Sequence, residues 1–113
     1  MLPIKNRLTK RQDFASVYLT GAYAANSGIS IKYLETKFPV VRIGFSVGKT
    51  FSKKATERNR ARRILREATG KQLASLRPGF DIIFMLQGKQ RELILEQVAT
   101  ITHKLFTKAR LLK

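Results

Sequence analysis

The run Phe80-Asp81-Ile82-Ile83-Phe84-Met85-Leu86-Gln87 constrains the fold more than any other stretch of this chain. It is short, almost continuous in β-branched and aromatic residues, and preceded by Arg77-Pro78-Gly79, which breaks the segment before it. A run of this kind reads as a strand covered on both faces, and so as a central strand parallel to one neighbour. A sheet must therefore be built around residues 80–87.

Two stretches with period-two alternation supply its neighbours. In residues 27–35, Ile29, Ile31 and Tyr33 alternate with Ser30 and Lys32. In residues 40–47, Val41, Ile43, Phe45 and Val47 alternate with Arg42, Gly44 and Ser46. The connector 36–39, Thr36-Lys37-Phe38-Pro39, is short, so these two strands are expected to pair as a hairpin.

Helical periodicity occurs three times. Thr9 with Gln12 reads as a capping box for a first helix, which Gly21 closes and along which Phe14, Val17 and Tyr18 form one stripe. A second helix is predicted over 54–75, with Ser52 before it as a candidate cap. A third is predicted over 90–108, where Leu93, Ile94, Val98, Ile101, Leu105 and Phe106 recur at steps of three and four. Without repeats or low-complexity segments, 113 residues are expected to form one domain over 1–113.

Charge narrows the choice of partner. Against 23 Lys and Arg stand 7 Asp and Glu, a formal net charge of +16, while an apolar fraction of 43% is ordinary for a folded protein. Self-repulsion on this scale is offset by a polyanion, and nucleic acid is the expected one. An anionic membrane is not expected, since neither a bulky basic amphipathic anchor nor a lipidation signal is present. The start of the chain lacks the apolar core of a signal peptide, and nowhere do eighteen apolar residues run together, so a soluble, cytoplasmic protein is expected.

Catalytic chemistry has little to stand on. The chain has no cysteine and one histidine, His103, which excludes thiolate zinc and an imidazole-based metal set. The acidic residues show no paired-carboxylate motif, and no phosphate-binding glycine loop or Ser/His/Asp order appears. His103 reads as a helix-surface or packing residue. Catalytic, cofactor-binding and metal-binding residues are therefore all expected to be absent.

The second helix is different. Within Thr56 to Ala68, Ala61, Ile64, Leu65 and Ala68 fall on one side of a helical wheel, and Asn59, Arg62, Arg63 and Arg66 centre on the other, with Arg58 and Arg60 on its borders. Solvated charge faces normally mix signs to gain i,i+4 pairs, whereas Arg58, Arg62 and Arg66 repel one another at that spacing. What arginine adds is a planar fork that chelates phosphate oxygens and stacks on bases. Lys49, Lys53 and Lys54 extend the patch toward the positive helix N-terminus. Phe14 and Tyr18, flanked by Lys10 and Arg11, combine aromatic and cationic groups as single-stranded nucleic acid binding requires, though at helical spacing they also read as core.

The string Ala55-Thr56-Glu57-Arg58-Asn59-Arg60-Ala61-Arg62-Arg63-Ile64-Leu65-Arg66-Glu67 closely resembles the Arg-Asn-Arg helix of the bacterial ribonuclease P protein family. Asn6 to Tyr18 resembles that family's first helix with its paired aromatics. Arg42 to Lys49 resembles its glycine-containing strand, and Arg77 to Met85 the strand after the basic helix. The chain departs from the usual pattern at Ala61 and Arg62, at Thr50 after Lys49, and at Lys32, where an aromatic is frequent.

The resemblance implies an α/β (α+β) two-layer sandwich with a four-stranded sheet and three helices, in the order α-β-β-(β)-α-β-α. The connection through the basic helix is then a left-handed βαβ crossover, against the right-handed rule. The extra strand would lie near 20–26 or come from splitting the hairpin. The resemblance further implies a subunit of an endoribonuclease in which the RNA subunit carries out Mg²⁺-dependent hydrolysis to remove the 5′ leader of precursor tRNA. Arg58, Asn59, Arg60, Arg62, Arg63 and Arg66, with Lys49, Lys53 and Lys54, would contact RNA. Phe14, Tyr18 and Lys32 would line a cleft for the leader. Two alternatives remain: a structural RNA-binding protein such as a ribosomal component, and a DNA-binding protein using the arginine helix in the major groove. The second is disfavoured because no short-turn partner helix precedes the basic one.

Overall fold

The structure, a computed structural model, describes residues 2–86 and 93–113. Strands β1 (Ala22–Asn26), β2 (Ile29–Glu35), β3 (Arg42–Val47) and β4 (Phe80–Leu86) form one sheet, with helices α1 (Arg11–Thr20), α2 (Ala55–Gly70) and α3 (Leu95–Lys108). The first seven of the residues predicted as the central strand, 80–86, form β4, and the eighth, Gln87, lies outside the described residues. The predicted third helix begins at Leu95; of its expected first turn, residues 90–92 lie outside the described residues.

The strand order is β1-β2-β4-β3, with β4 parallel to β3 and antiparallel to β2. This bears out a central β4 parallel to one neighbour, and it corrects the expected hairpin. Residues 29–35 and 42–47 do not pair, because β4 lies between them. β2 instead forms a hairpin with β1, the extra strand, through the two-residue turn Ser27-Gly28. Both turn residues have positive φ, 51° and 84°, as a two-residue hairpin matched to strand twist requires. β3, α2 and β4 together form the parallel crossover through the basic helix.

The two faces of β4 separate two apolar clusters. Ile82, Phe84 and Leu86 pack with Ile31, Ile43, Val47, Ala61, Leu65, Val98, Leu105 and Phe106 under α2 and α3. Ile83 and Met85 face the other way, onto Leu8, Val17, Phe14 and Leu34. The α+β sandwich is thus formed by the sheet with α2 and α3, and α1 adds a partial cover to the opposite face. Aromatic contacts run through the larger cluster: Phe45 stacks on Phe84 at 5.8 Å, and Phe84 meets Phe106 edge-on at 5.7 Å.

Local chemistry departs from expectation at three helix ends. The Thr9–Gln12 capping box does not form; Lys10 is the N-cap of α1 and no side chain caps it. Gly21 does end α1, but with φ −74° rather than a left-handed conformation. Its glycine is required by close approach, since a Cβ there would lie 2.5 Å from the Val17 carbonyl oxygen and 3.0 Å from that of Tyr33. Helix α2 stops at Gly70, five residues short of the expected end, and a 3-10 turn, Leu73–Ser75, follows. The Gln72 amide reaches the Ala68 carbonyl at 3.2 Å and the Thr102 hydroxyl at 2.9 Å, tying the end of α2 to α3.

Candidate nucleic-acid interface

Helix α2 carries a buried stripe, Ala61, Leu65, Ala68 and Thr69, that holds it to the sheet. The remaining surface is basic, but its arginines divide into two sets. Arg58, Arg62 and Arg66, one i,i+4 row, are partly buried, whereas Asn59, Arg60 and Arg63 are exposed. The row faces β3 and the loop after it, and each of its guanidinium groups has a partner there. Arg58 donates to the carbonyls of Ser52 at 3.0 Å and Lys53 at 2.9 Å. Arg62 donates to the Val47 carbonyl at 3.0 Å and to Asn59 Oδ1 at 2.8 Å. Arg66 lies over the Phe45 ring at 6.0 Å.

The wheel placed Arg62 and Arg66 opposite the core. The structure instead turns them sideways, because β3 is an edge strand whose end offers an unpaired carbonyl and an aromatic face within reach of a long side chain. Their mutual repulsion is eased by these separate anchors, while each guanidinium keeps further donors for an incoming phosphate.

The loop before α2 is organised by Ser52, which accepts from the Lys54 backbone N–H at 3.2 Å and donates to Glu57. Ser52 is therefore not the N-cap; Lys54 holds that position. Lys49, Lys53 and Lys54 are all exposed around the helix N-terminus, where unpaired backbone N–H groups favour an anion.

On the other face of the sheet, register fixes a row across all four strands: Gly44 on β3, Ile83 on β4, Lys32 on β2 and Tyr23 on β1. Helix α1 crosses this row. Phe14 lies on Gly44, Val17 packs in the cluster that contains Ile83, and Tyr18 meets Lys32. The Phe14 and Tyr18 rings are 6.3 Å apart, and Lys32 Nζ sits 5.9 Å from the Tyr18 ring centre while donating to the Tyr18 carbonyl at 2.8 Å. The three expected cleft residues are thus brought together. The next row, Ser46, Met85, Ser30 and Ala25, is the strip of sheet beside them.

An ion network fixes α1 to this face. Arg42 pairs bidentately with Asp81 at 2.8 and 2.7 Å and reaches Asp13 of α1 at 3.3 Å. Hydrogen bonding to the buried Asp81 carboxylate, helped by the charges of Asp81 and Asp13, outweighs desolvation and holds the Arg42 guanidinium above its ordinary pKa.

A groove of about 530 Å³ connects the two basic and aromatic regions around the edge of β3. Phe14 and Gly44 line one end and Arg62 and Arg66 the other, with Arg7 and Leu8 alongside. Leu8 donates its backbone N–H to the Ile43 carbonyl at 3.0 Å, so the N-terminal segment covers part of that edge and leaves the rest open. Tyr23, Arg7 and the ion network were missed in the sequence. An extra strand near 20–26 was expected, but the face Tyr23 takes depends on its register with Lys32, and Arg42 and Asp81 meet through a parallel register that sequence does not reveal. Among the described residues, no three His, Cys, Asp or Glu side chains cluster to hold a metal ion.

Residues 2–110 match the family model described as Ribonuclease P. The chain is 34% identical over 105 residues to the ribonuclease P protein component of Caldanaerobacter subterraneus subsp. tengcongensis, covering 93% of this chain and 90% of that one. It is likewise 34% identical over 107 residues to that of Dehalococcoides mccartyi strain CBDB1, covering 95% and 87%. The fold matches the RNase P protein of Staphylococcus aureus with a TM-score of 0.84 at 23% identity over 96% of this chain and 98% of that one. It matches that of Thermotoga maritima with a TM-score of 0.78 at 23% identity over 90% and 96%. A basic helix and an aromatic cleft on one sheet, in a chain related along nearly its whole length to these proteins, place it in the bacterial ribonuclease P protein family.

Proposed function

We infer that this chain is the protein subunit of ribonuclease P and acts with a ribonuclease P RNA to remove the 5′ leader from precursor tRNA in the cytoplasm. The observation that carries this reading, beyond kinship, is one groove around the β3 edge lined both by the guanidinium groups of Arg62 and Arg66 and by the Phe14 ring, next to which stand Tyr18 and Lys32. Structured RNA is bound chiefly through phosphates, whereas single-stranded RNA is bound by stacking on rings flanked by cations. A protein that holds a folded RNA and a single-stranded leader at once needs both surfaces.

In this reading Arg60, Arg63, Asn59, Lys49, Lys53 and Lys54 meet RNA phosphates directly. Arg58, Arg62 and Arg66 present a preorganised row with N–H groups left over for RNA phosphates. Phe14, Tyr18 and Lys32 receive the leader. The hydrolysis belongs to the RNA subunit and its Mg²⁺, and the protein's contribution is to bind, orient and neutralise. No helix of the described residues is long and apolar enough to cross a membrane.

The test is to add the chain to a ribonuclease P RNA at low Mg²⁺ and measure 5′ processing of precursor tRNA. Faster cleavage and tighter precursor binding are expected. RNA binding without any effect on cleavage would instead favour a structural RNA-binding role.

A further inference from the structure

We propose that Tyr23 is a base-stacking residue for single-stranded RNA, carrying the leader path beyond Tyr18 and Lys32 to the outer edge of the sheet. The proposal rests on the assignment of the α1 face to the leader and adds a residue that this assignment does not include.

The geometry is set by register. Tyr23 on β1 is the direct cross-strand partner of Lys32 on β2, so the two side chains stand on the same face about 5 Å apart. Lys32 in turn contacts the Tyr18 carbonyl and ring. Phe14, Tyr18, Lys32 and Tyr23 thus form one line that crosses the sheet from β3 to β1, with the cation between the second and third rings.

Tyr23 is 62% exposed, more than Tyr18 at 36%. Its neighbours along β1, Ala22, Ala24 and Ala25, are too small to cover it. An aromatic ring left this open on a sheet face is available to a flat ligand.

Charge specifies the ligand. Neither the row Gly44, Ile83, Lys32, Tyr23 nor the row Ser46, Met85, Ser30, Ala25 contains a carboxylate. Lys108 reaches around from α3 to the Ala25 carbonyl at 3.4 Å and so adds a cation at the β1 edge. A ring beside Lys32, on an edge strand that Lys108 also reaches and in a chain of net charge +16, suits a nucleobase whose flanking phosphates meet these cations.

The test uses the assembled holoenzyme and precursor tRNAs whose leaders are lengthened one nucleotide at a time. The wild type is expected to bind more tightly as the leader grows, to a plateau. Tyr23→Ala should reduce the ratio of long-leader to short-leader affinity about fivefold or more, the effect of losing one stacked base, and Tyr23→Phe should restore it. A Tyr23→Ala enzyme with the wild-type ratio at every length overturns the proposal. If wild type and Tyr18→Ala alike show no dependence on leader length, the leader assignment itself fails and this extension with it. A separate readout needs no holoenzyme. The chain lacks tryptophan, so Tyr23→Trp provides a lone indole reporter whose fluorescence should be quenched by single-stranded oligoadenylate; unchanged emission counts against stacking at this position.

Discussion

The Phe14 ring rests on Gly44: a Cβ built at position 44 would lie 2.5 Å from Phe14 Cζ and 3.2 Å from the Leu8 carbonyl oxygen. The glycine in β3 is therefore the seat of an aromatic side chain from α1, and it fixes how closely the helix approaches the sheet. Its φ is not in the left-handed region, so the requirement is for space.

Gly44→Ala is accordingly expected to displace Phe14 and cost about 1–3 kcal/mol, the usual range for overpacking. Urea denaturation measures the cost. Affinity for leader-bearing precursor should fall more than affinity for mature tRNA. Adding Phe14→Leu should recover stability by freeing the space, without recovering leader affinity. Recovery of both would mean that the ring at position 14 does not contact RNA.

The division of the arginines gives a second prediction. Arg62 ties α2 to the end of β3 through the Val47 carbonyl, whereas Arg63 is exposed. Arg62→Ala should cost about 1 kcal/mol of stability, while Arg63→Ala should stay within about 0.5 kcal/mol. If both contact phosphate, each should lower the slope of log affinity against log salt for RNA by roughly 0.7–0.9. A stability loss at Arg62 with an unchanged slope would make it a purely structural arginine.

What the sequence revealed and what it concealed follow from the range of the interactions. Period-two alternation, the apolar run at 80–86 and the 3.6-residue stripes are local, so β2, β3, β4, α2 and α3 were legible. Pairing is not local: residues 29–35 and 42–47 alternate equally well, and nothing in either says that β4 will come between them. The signal for the true hairpin was present in Asn26-Ser27-Gly28, but β1 is only five residues long and mostly alanine, too short to show alternation. The basic face was legible as charge at helical spacing. That Arg62 and Arg66 are anchored to β3, and Arg58 to the loop after it, was not, because the Val47 carbonyl is available only at a sheet edge. The same gap hid Tyr23, whose face depends on its register with Lys32.

The ion network predicts an asymmetry between its two acids. Asp81 is 3% exposed and holds Arg42 with two hydrogen bonds, whereas Asp13 adds one longer contact from the rim. Asp81→Ala leaves a half-buried guanidinium without its main partner and should cost about 3 kcal/mol. Asp13→Ala should cost less than about 1 kcal/mol. The folded state raises the Arg42 pKa, so the stabilisation it contributes is fully present below the unfolded arginine value and is lost only as pH rises through the folded one. The Asp81→Ala deficit should therefore persist undiminished through the mildly alkaline range, as denaturation at successive pH values would reveal.

Lys32 provides the sharpest separation of charge from structure in the cleft. Its Nζ donates to the Tyr18 carbonyl at 2.8 Å on an exposed surface, where one hydrogen bond adds little to stability. Glutamine at this position keeps an uncharged N–H donor on a side chain one methylene shorter and removes the charge. Lys32→Gln should thus leave stability within about 0.5 kcal/mol of wild type while lowering the salt slope for leader-bearing precursor by roughly 0.7, the value for one phosphate on a single strand. If the leader is the strand that crosses β2, as proposed above, the slope for mature tRNA should not change. Equal changes for both RNAs would move Lys32 from the leader path to general RNA attraction, and a large loss of stability would show that its bond to Tyr18 holds α1 in place.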